Sequence, residues 1–394
     1  MVTRIIVRLV AVRVGVVVAL GSLMLALPGQ SRSGSVLTAA FAARTFTPGQ
    51  MARLAIDGAR PTSIRIFHAG YGRDGVMQGQ PVSATIKGGR VLIGDWPSGL
   101  YYARVVAGRD TTDAPFVLRP RRLGEHRVLV VLPTNTWQAY NFEAGDSWYL
   151  NPGVRTVDLS RPFIDNGVPP HYHGYDRGFI RWLALTGKHP DFVSDDDLEY
   201  LSGDRLAHLY NLIVFSGHEE YVTPHAYSAV ERYRDLGGNL AFLSANNFFY
   251  RVLLRGQTIT RSGRWRDLGR PEVKLIGSDY VGWNRDTYPN RPYDVVDEKA
   301  APWLFRGTGF RDGARFGRYG IEIDGKSPAS PPGTEVLAEI PNDFGPGKSA
   351  DMTYYTTRRG AKVFAAGVMN FGGSALWPGV RQMMDNLWAE LSRP

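Results

Sequence analysis

Leu212-Ile213-Val214-Phe215-Ser216-Gly217-His218-Glu219-Glu220-Tyr221 is the stretch on which the reading of this chain turns. The apolar run 212–215 reads as a buried strand of a parallel sheet. Such a sheet places its ligands in loops at the carboxyl ends of strands. The loop that follows carries an imidazole and a carboxylate two residues apart, His218 and Glu220. On an extended backbone both side chains point the same way. That makes a ligand or acid/base pair where chemistry is commonly done. Thr223-Pro224 then opens a helix, as N-cap and first helical residue. The plainer reading of the same two residues is a helix cap or a surface pair.

Working outward, residues 128–132 form a second continuous apolar strand. Phe179, Ile180, Leu183 and Leu185 predict a helix that Gly187 ends. Ser194 with Asp197 makes a capping box, Asp standing in for Glu or Gln. An amphipathic helix over 224–236 ends at Gly237-Gly238. Residues 240–243 and 363–366 read as further strands, and 378–391 as a terminal helix. The Gly-, Pro- and Arg-rich stretch 251–350 reads as an insertion of loops and short strands. Strands alternating with helices predict a doubly wound, flavodoxin-like α/β domain over 123–394. Short alternating runs over 43–122 predict a small Ig-like β-sandwich before it. Arg119-Pro120-Arg121-Arg122 reads as the linker.

The first 42 residues hold Arg4, Arg8, Arg13 and Arg32 and no acid. An apolar run over 14–27 and the small triplet Ala40-Phe41-Ala42 follow. This is the layout of a secretory signal peptide over 1–42. The expectation is an exported protein, periplasmic or extracellular, with an uncleaved N-terminal anchor as the alternative. The apolar run is short of the ~20 residues a spanning helix needs, so no stable membrane span is expected after cleavage. Losing the four arginines takes the net charge from +9 to +5. The remaining cations form no stripe, which argues against nucleic acid. The chain has no cysteine. That excludes disulfides, thiolate nucleophiles and Cys-ligated metals. A homo-oligomer is left open.

With strand order 2-1-3-4-5, the first and third strands flank the point where ligands bind. Three polar loops then converge: 134–141 with Tyr140, the His218/Glu220 loop, and Ala245-Asn246-Asn247. Tyr140 alone reads more simply as a packed aromatic. His171-Tyr172-His173 has metal-ligand spacing and could join His218 and Glu220 in a zinc or iron site. Asp195-Asp196-Asp197 fits a helix N-terminus. Gly345-Pro346-Gly347-Lys348-Ser349 lacks the first glycine of a phosphate loop, with Asn342 in its place. No G-x-S-x-G elbow is present.

Residues 134–141, Ser216 to Tyr221, Leu240 to Asn247, Ser327 to Gly333, Thr353-Tyr354-Tyr355 and Phe364 to Gly367 resemble the N,N-dimethylformamidase large (beta) subunit family. Trp96-Pro97-Ser98-Gly99-Leu100-Tyr101 adds to the match. The resemblance implies a glutamine-amidotransferase-like α/β domain without its cysteine. It also implies a mononuclear iron, Fe3+, held by two tyrosines and one glutamate. Carried onto this chain the ligands are Tyr101, with Tyr102 beside it, Tyr140 and Glu220. His218 and Asn246 match positions around that site. A family glutamate is matched by Thr356, which puts amidase activity in doubt.

Hard phenolate and carboxylate oxygens suit Fe(III). In this reading a metal polarises an amide or activates water, His218 takes the proton and Asn246 holds the carbonyl oxygen. The expected function is metal-dependent hydrolysis of a small amide C–N bond. The alternative is a non-catalytic secreted protein that binds a ligand or glycan on the same fold.

Overall fold

In the computed structural model, Val128–Leu132 is buried at all five positions. It pairs in parallel with Asp191–Ser194 on one side and Leu212–Phe215 on the other. The structure describes residues 36–142, 147–151, 153–284 and 287–393. The basic and apolar segment of the proposed leader, up to residue 35, lies outside them.

Period-two alternation decides what each face of this strand meets. Val128, Val130 and Leu132 pack with Phe179, Trp182, Leu183, Met384 and Leu387. These come from the helices Arg177–Thr186 and Val380–Leu391. Leu129 and Val131 pack with Leu206, Val230 and Tyr233 of the helices Gly203–Leu209 and Pro224–Asp235. Burial of each such side chain is worth ~1.5–3 kcal/mol, so five residues suffice to fix the strand. Thr223 Oγ1 accepts from Ala226 N at 3.2 Å and Pro224 starts the helix behind it.

The main sheet has nine strands. Asp191–Ser194, Val128–Leu132, Leu212–Phe215, Asn239–Phe242 and Lys362–Ala365 lie side by side and parallel. Ala350–Thr356, Glu335–Ile340, Arg291–Val295 and Arg315–Tyr319 continue it antiparallel. This overturns the expected doubly wound, flavodoxin-like (glutamine-amidotransferase-like) domain. The sheet is mixed, other sheets flank it, and strand residues outnumber helical ones. The stretch read as an irregular insertion builds three of the antiparallel strands. An antiparallel strand with one wet face needs apolar residues only at alternate positions. Tyr293 and Val295 are buried with Asp294 between them, and Phe316 and Tyr319 are buried with Gly317 and Arg318 between them. A register shift between Arg291 and Tyr293 breaks the pattern further.

Ahead of this sheet, Thr38–Phe41, Met51–Asp57, Arg90–Leu92 and Thr85–Lys87 make one four-stranded sheet. Thr45–Phe46, Asp110–Leu118, Gly99–Ala107, Ser63–His68 and Gln80–Val82 make a five-stranded one. Phe41, Ala52, Leu54, Tyr101, Val105 and Phe116 lie in their shared core. Residues of the five-stranded sheet also join the main core, Leu100, Tyr102 and Val117 among them. Residues 35–394 thus form one compact unit. The triplet Ala40-Phe41-Ala42 falls on and just after the Thr38–Phe41 strand, which pairs with Met51–Asp57. A cut after Ala42 would remove that strand and the buried Leu37, Ala39 and Phe41.

Candidate functional site

The carboxyl ends of the Val128–Leu132 and Leu212–Phe215 strands open onto one cleft. After the first strand the chain turns at Pro133 into the helix Thr134–Tyr140, buried up to Ala139. Tyr140 is its last residue. After the second strand, Ser216-Gly217 leads to His218. Gly217 is required there, because a Cβ would meet Asp176 Oδ1 at 2.2 Å. The backbone N of Glu220 donates to Thr136 Oγ1 at 3.1 Å, tying this loop to the helix.

Three side chains meet at the centre. The Tyr140 hydroxyl donates to Glu220 Oε2 at 2.5 Å and lies 3.4 Å from His218 Nε2. His218 Nε2 is 3.3 Å from Glu220 Oε2, and its Nδ1 faces the Ala245 carbonyl at 3.0 Å. Tyr140 and His218 rings lie nearly parallel, 5.8 Å apart. Asn246 Nδ2 donates to the other Glu220 oxygen, Oε1, at 3.2 Å. Asn246 sits at φ 54°, a left-handed conformation that Asn tolerates better than most residues. Its backbone N donates to the Asp324 carboxylate at 2.9 and 3.1 Å, which holds that conformation. Asn246 Oδ1 is buried with no hydrogen-bond partner among the described residues.

Two further residues belong here. Tyr221 lines the cleft, where burial and then the Glu220 charge hold its phenol well above the ordinary value. Glu322, on the strand Glu322–Gly325, lines the same cleft. Burial pushes Glu322 up to about 7; the His218 charge opposes the rise and Glu220 adds to it. Nothing in the periodicity marked Glu322, which lies in the segment read as an insertion.

The floor is strongly acidic. Burial raises Asp324 to about 8 and Asp176 to about 7. Glu219, also buried, rises well above its usual range through burial and the neighbouring Asp195. Burial disfavours a charged His218, but its bond to Glu220 and the Glu220 and Glu322 charges outweigh this and lift it to about 9. Burial and Glu220 hold the Tyr140 phenol well above its ordinary value. A raised imidazole favours its charged form, the form that can donate a proton.

Of the residues singled out from sequence, Tyr140, His218, Glu220 and Asn246 come together. Tyr101 does not. It is buried in the sandwich core between His68, Trp96 and Phe116, its hydroxyl donating to the Pro97 carbonyl at 2.8 Å. Tyr102 stacks on Phe67 on the other face of the same strand. Thr356 stands exposed at its strand end, donating to the Tyr354 hydroxyl at 3.2 Å. His171 stacks on Tyr175 at 5.1 Å and His173 is exposed. Among the described residues, no group of three or more His, Asp or Glu is arranged to hold a metal ion. The His171/His173 zinc or iron site is thus not formed.

The cleft above holds about 1200 Å³. Its walls include Trp148, Tyr149, Phe249, Tyr250, Trp283 and Tyr288, with Arg261, Arg264 and Lys348.

Comparison with known proteins adds to this geometry. The family described as N,N-dimethylformamidase beta subunit-like, C-terminal, matches residues 82–382. N,N-dimethylformamidase beta subunits of Paracoccus aminophilus and of an Alcaligenes species are each 25% identical over 388 aligned residues. The alignments cover 71% of this chain and 50% of each relative, so the chain spans about half their length. Likeness to solved structures is slight. The mmIFT52 N-terminal domain is 11% identical, covering 53% of this chain and 88% of its own, with TM-score 0.31. The M1 domain from titin is 13% identical, covering 22% and 95%, with TM-score 0.17.

Proposed function

We propose that this chain, which belongs to the N,N-dimethylformamidase beta subunit-like family, hydrolyses an amide C–N bond at the floor of its cleft. The observation that carries the reading is the Tyr140–Glu220–Asn246 cluster, buried beneath an open cleft. The donor chemistry there fits a cation. A phenol and a carboxylate lie 2.5 Å apart, a second phenol bears on the same carboxylate, and raised carboxyls surround them. A hard ion such as Fe(III) would be held by Tyr140, Glu220 and Tyr221. When bound it would supply a Lewis acid for the carbonyl and a lower pKa for water.

The chain's own groups then have distinct tasks. Asn246, fixed by Asp324, offers its amide N–H to the developing oxyanion. Glu322, raised toward neutrality, takes a proton from the attacking water. His218, charged and anchored on the Ala245 carbonyl, gives a proton to the departing amine. Water adds to the carbonyl, the C–N bond breaks, and a carboxylic acid and an amine leave. Export is part of the proposal, with any cleavage upstream of the Thr38–Phe41 strand.

The exposed rings at the cleft, Tyr149, Trp283 and Tyr288, favour a second reading, a ligand- or glycan-binding protein without turnover. Metal analysis of the purified protein with amine release from simple amides decides between them. Bound metal with turnover supports the hydrolase. Absence of both leaves the binding protein.

A further inference from the structure

One face of one helix holds Glu220 at two points. Thr136 and Tyr140 stand four residues apart on Thr134–Tyr140, so their side chains share a face. Thr136 Oγ1 accepts from the Glu220 backbone N at 3.1 Å. The Tyr140 hydroxyl donates to the Glu220 carboxylate at 2.5 Å. The helix thus bonds to both ends of the same residue.

The neighbouring bonds say what this arrangement sets. The rest of the loop is tied to residues 247–250. Glu219 N donates to Asn247 Oδ1 at 2.9 Å, Phe248 N to the Glu219 carbonyl at 2.7 Å and Tyr250 N to the Glu220 carbonyl at 2.9 Å. The helix is anchored at its start, where Asn135 N and Thr134 Oγ1 donate to Asp195 Oδ2 at 2.6 and 3.1 Å. Among the described residues, two hydrogen bonds join the loop's main chain to this helix. One is Glu220 N to Thr136. The other, longer at 3.3 Å, is Asn135 Nδ2 to the Tyr221 carbonyl. Thr136 and Glu220 are both buried, so water does not stand in for either partner. A valine at 136 would fill nearly the same space and leave the Glu220 N–H unpaired.

Building on the amide-hydrolysis reading, we propose that Thr136 is a positioning residue, whose hydroxyl fixes the Glu220 backbone so that the carboxylate meets both Tyr140 and Asn246. It acts through Glu220. Without it the loop is free to shift along the helix, and the carboxylate moves away from the Tyr140 hydroxyl and from Asn246 Nδ2. A displacement on the order of 1 Å at a reacting group costs up to ~10²-fold in rate.

Thr136→Val and Thr136→Ser separate this role from packing. Val keeps the volume and removes the acceptor; Ser keeps the acceptor and removes a methyl group. Proton NMR spectra of the full-length protein, recorded after chelation of any bound metal, follow the Tyr140 hydroxyl. A short buried bond shifts that proton downfield, and its absence from Tyr140→Phe assigns it. The resonance should vanish or move upfield in Thr136→Val and stay in place in Thr136→Ser. With a simple formamide, kcat should fall ~10–100-fold in Thr136→Val while KM changes little, and Thr136→Ser should recover most of the loss. A packing role alone makes Ser, which leaves a void, the worse variant. Thr136→Ala lacks the acceptor as well and gives the same reading should Thr136→Val fail to fold. An unmoved resonance in Thr136→Val and Thr136→Ala, or an equal shift in Thr136→Ser, overturns the proposal. A resonance that moves as expected, with no amide turnover even in the unaltered protein, keeps the positioning role and sinks the hydrolase reading. Turnover that survives Thr136→Val with the resonance unmoved keeps the hydrolase and sinks this role.

Discussion

Tyr140 and Glu220 meet across 80 positions of chain, the phenol donating to the carboxylate at 2.5 Å. Neither residue is in contact with Tyr101, whose hydroxyl is satisfied inside the sandwich core. Two tyrosines that looked equivalent in sequence therefore have opposite consequences when altered. Tyr140→Phe should weaken and shift the Tyr-to-Fe(III) absorption band of the iron-loaded protein, leaving the Tyr221 contribution. Tyr101→Phe should leave that band intact and cost only the Pro97 hydrogen bond, ~1 kcal/mol. Visible spectra and denaturant melts of both variants check this. A band lost in Tyr101→Phe and kept in Tyr140→Phe would restore the ligand set expected from sequence.

Glu322 and Thr356 offer a second contrast. Glu322→Gln keeps the shape of the side chain and removes the proton acceptor, so turnover should fall by ~10²–10⁴. Thr356→Glu places a carboxylate on an exposed strand end and should change turnover little. Steady-state rates of amine release from a simple formamide decide it. A gain from Thr356→Glu would mean that this carboxylate reaches the site after all.

Asp176 gives a pH test. It is buried, accepts from Trp137 Nε1 at 3.3 Å, and is raised to about 7. Its folded value exceeds its unfolded one, so the native state holds the proton more tightly. Stability from this group is full below about pH 4 and is lost as pH rises toward 7. Asp176→Asn should therefore stabilise the protein at pH 8, by roughly 2–4 kcal/mol at most, and leave it unchanged near pH 4. Urea melts at both pH values measure it. Equal effects at the two pH values would refute an ionisation cause.

The N-terminus gives a fourth. Phe41 is buried against Phe46 and Phe116 at 5.5 and 4.9 Å. Phe41→Ala should cost ~3–5 kcal/mol. A chain starting at residue 43 should be less stable still, and one starting at 36 should melt like the longer protein. N-terminal sequencing of secreted material should find a start before Thr38. A start at Ala43 with full stability would contradict the structural role given to this strand.

The apolar runs 128–132 and 212–215 were readable because parallel strands are buried on both faces, leaving no polar interruption. The proximity of His218 to Glu220 was readable from spacing alone. Glu322 and the antiparallel strands were not. Their apolar positions alternate over only a few residues and are broken by Arg, Gly and bulges. Tyr101 shows the opposite failure. Sequence gave it a tyrosine's chemistry, but only packing could say that its hydroxyl points back to its own turn at Pro97.

Asn246 owes its conformation to Asp324, 78 positions further on. The same strand carries Glu322. The centre is therefore closed by a segment synthesised late, after two strand-loop units that already hold Tyr140 and Glu220. Long-range closure of this sort is entropically costly and slow relative to local structure. A nascent chain released before residue 322 would present two phenols and a carboxylate to solvent without their proton acceptor. In a refolding time course, competence to bind iron with native colour should emerge only with the slowest phase, making the centre a timer of completed folding.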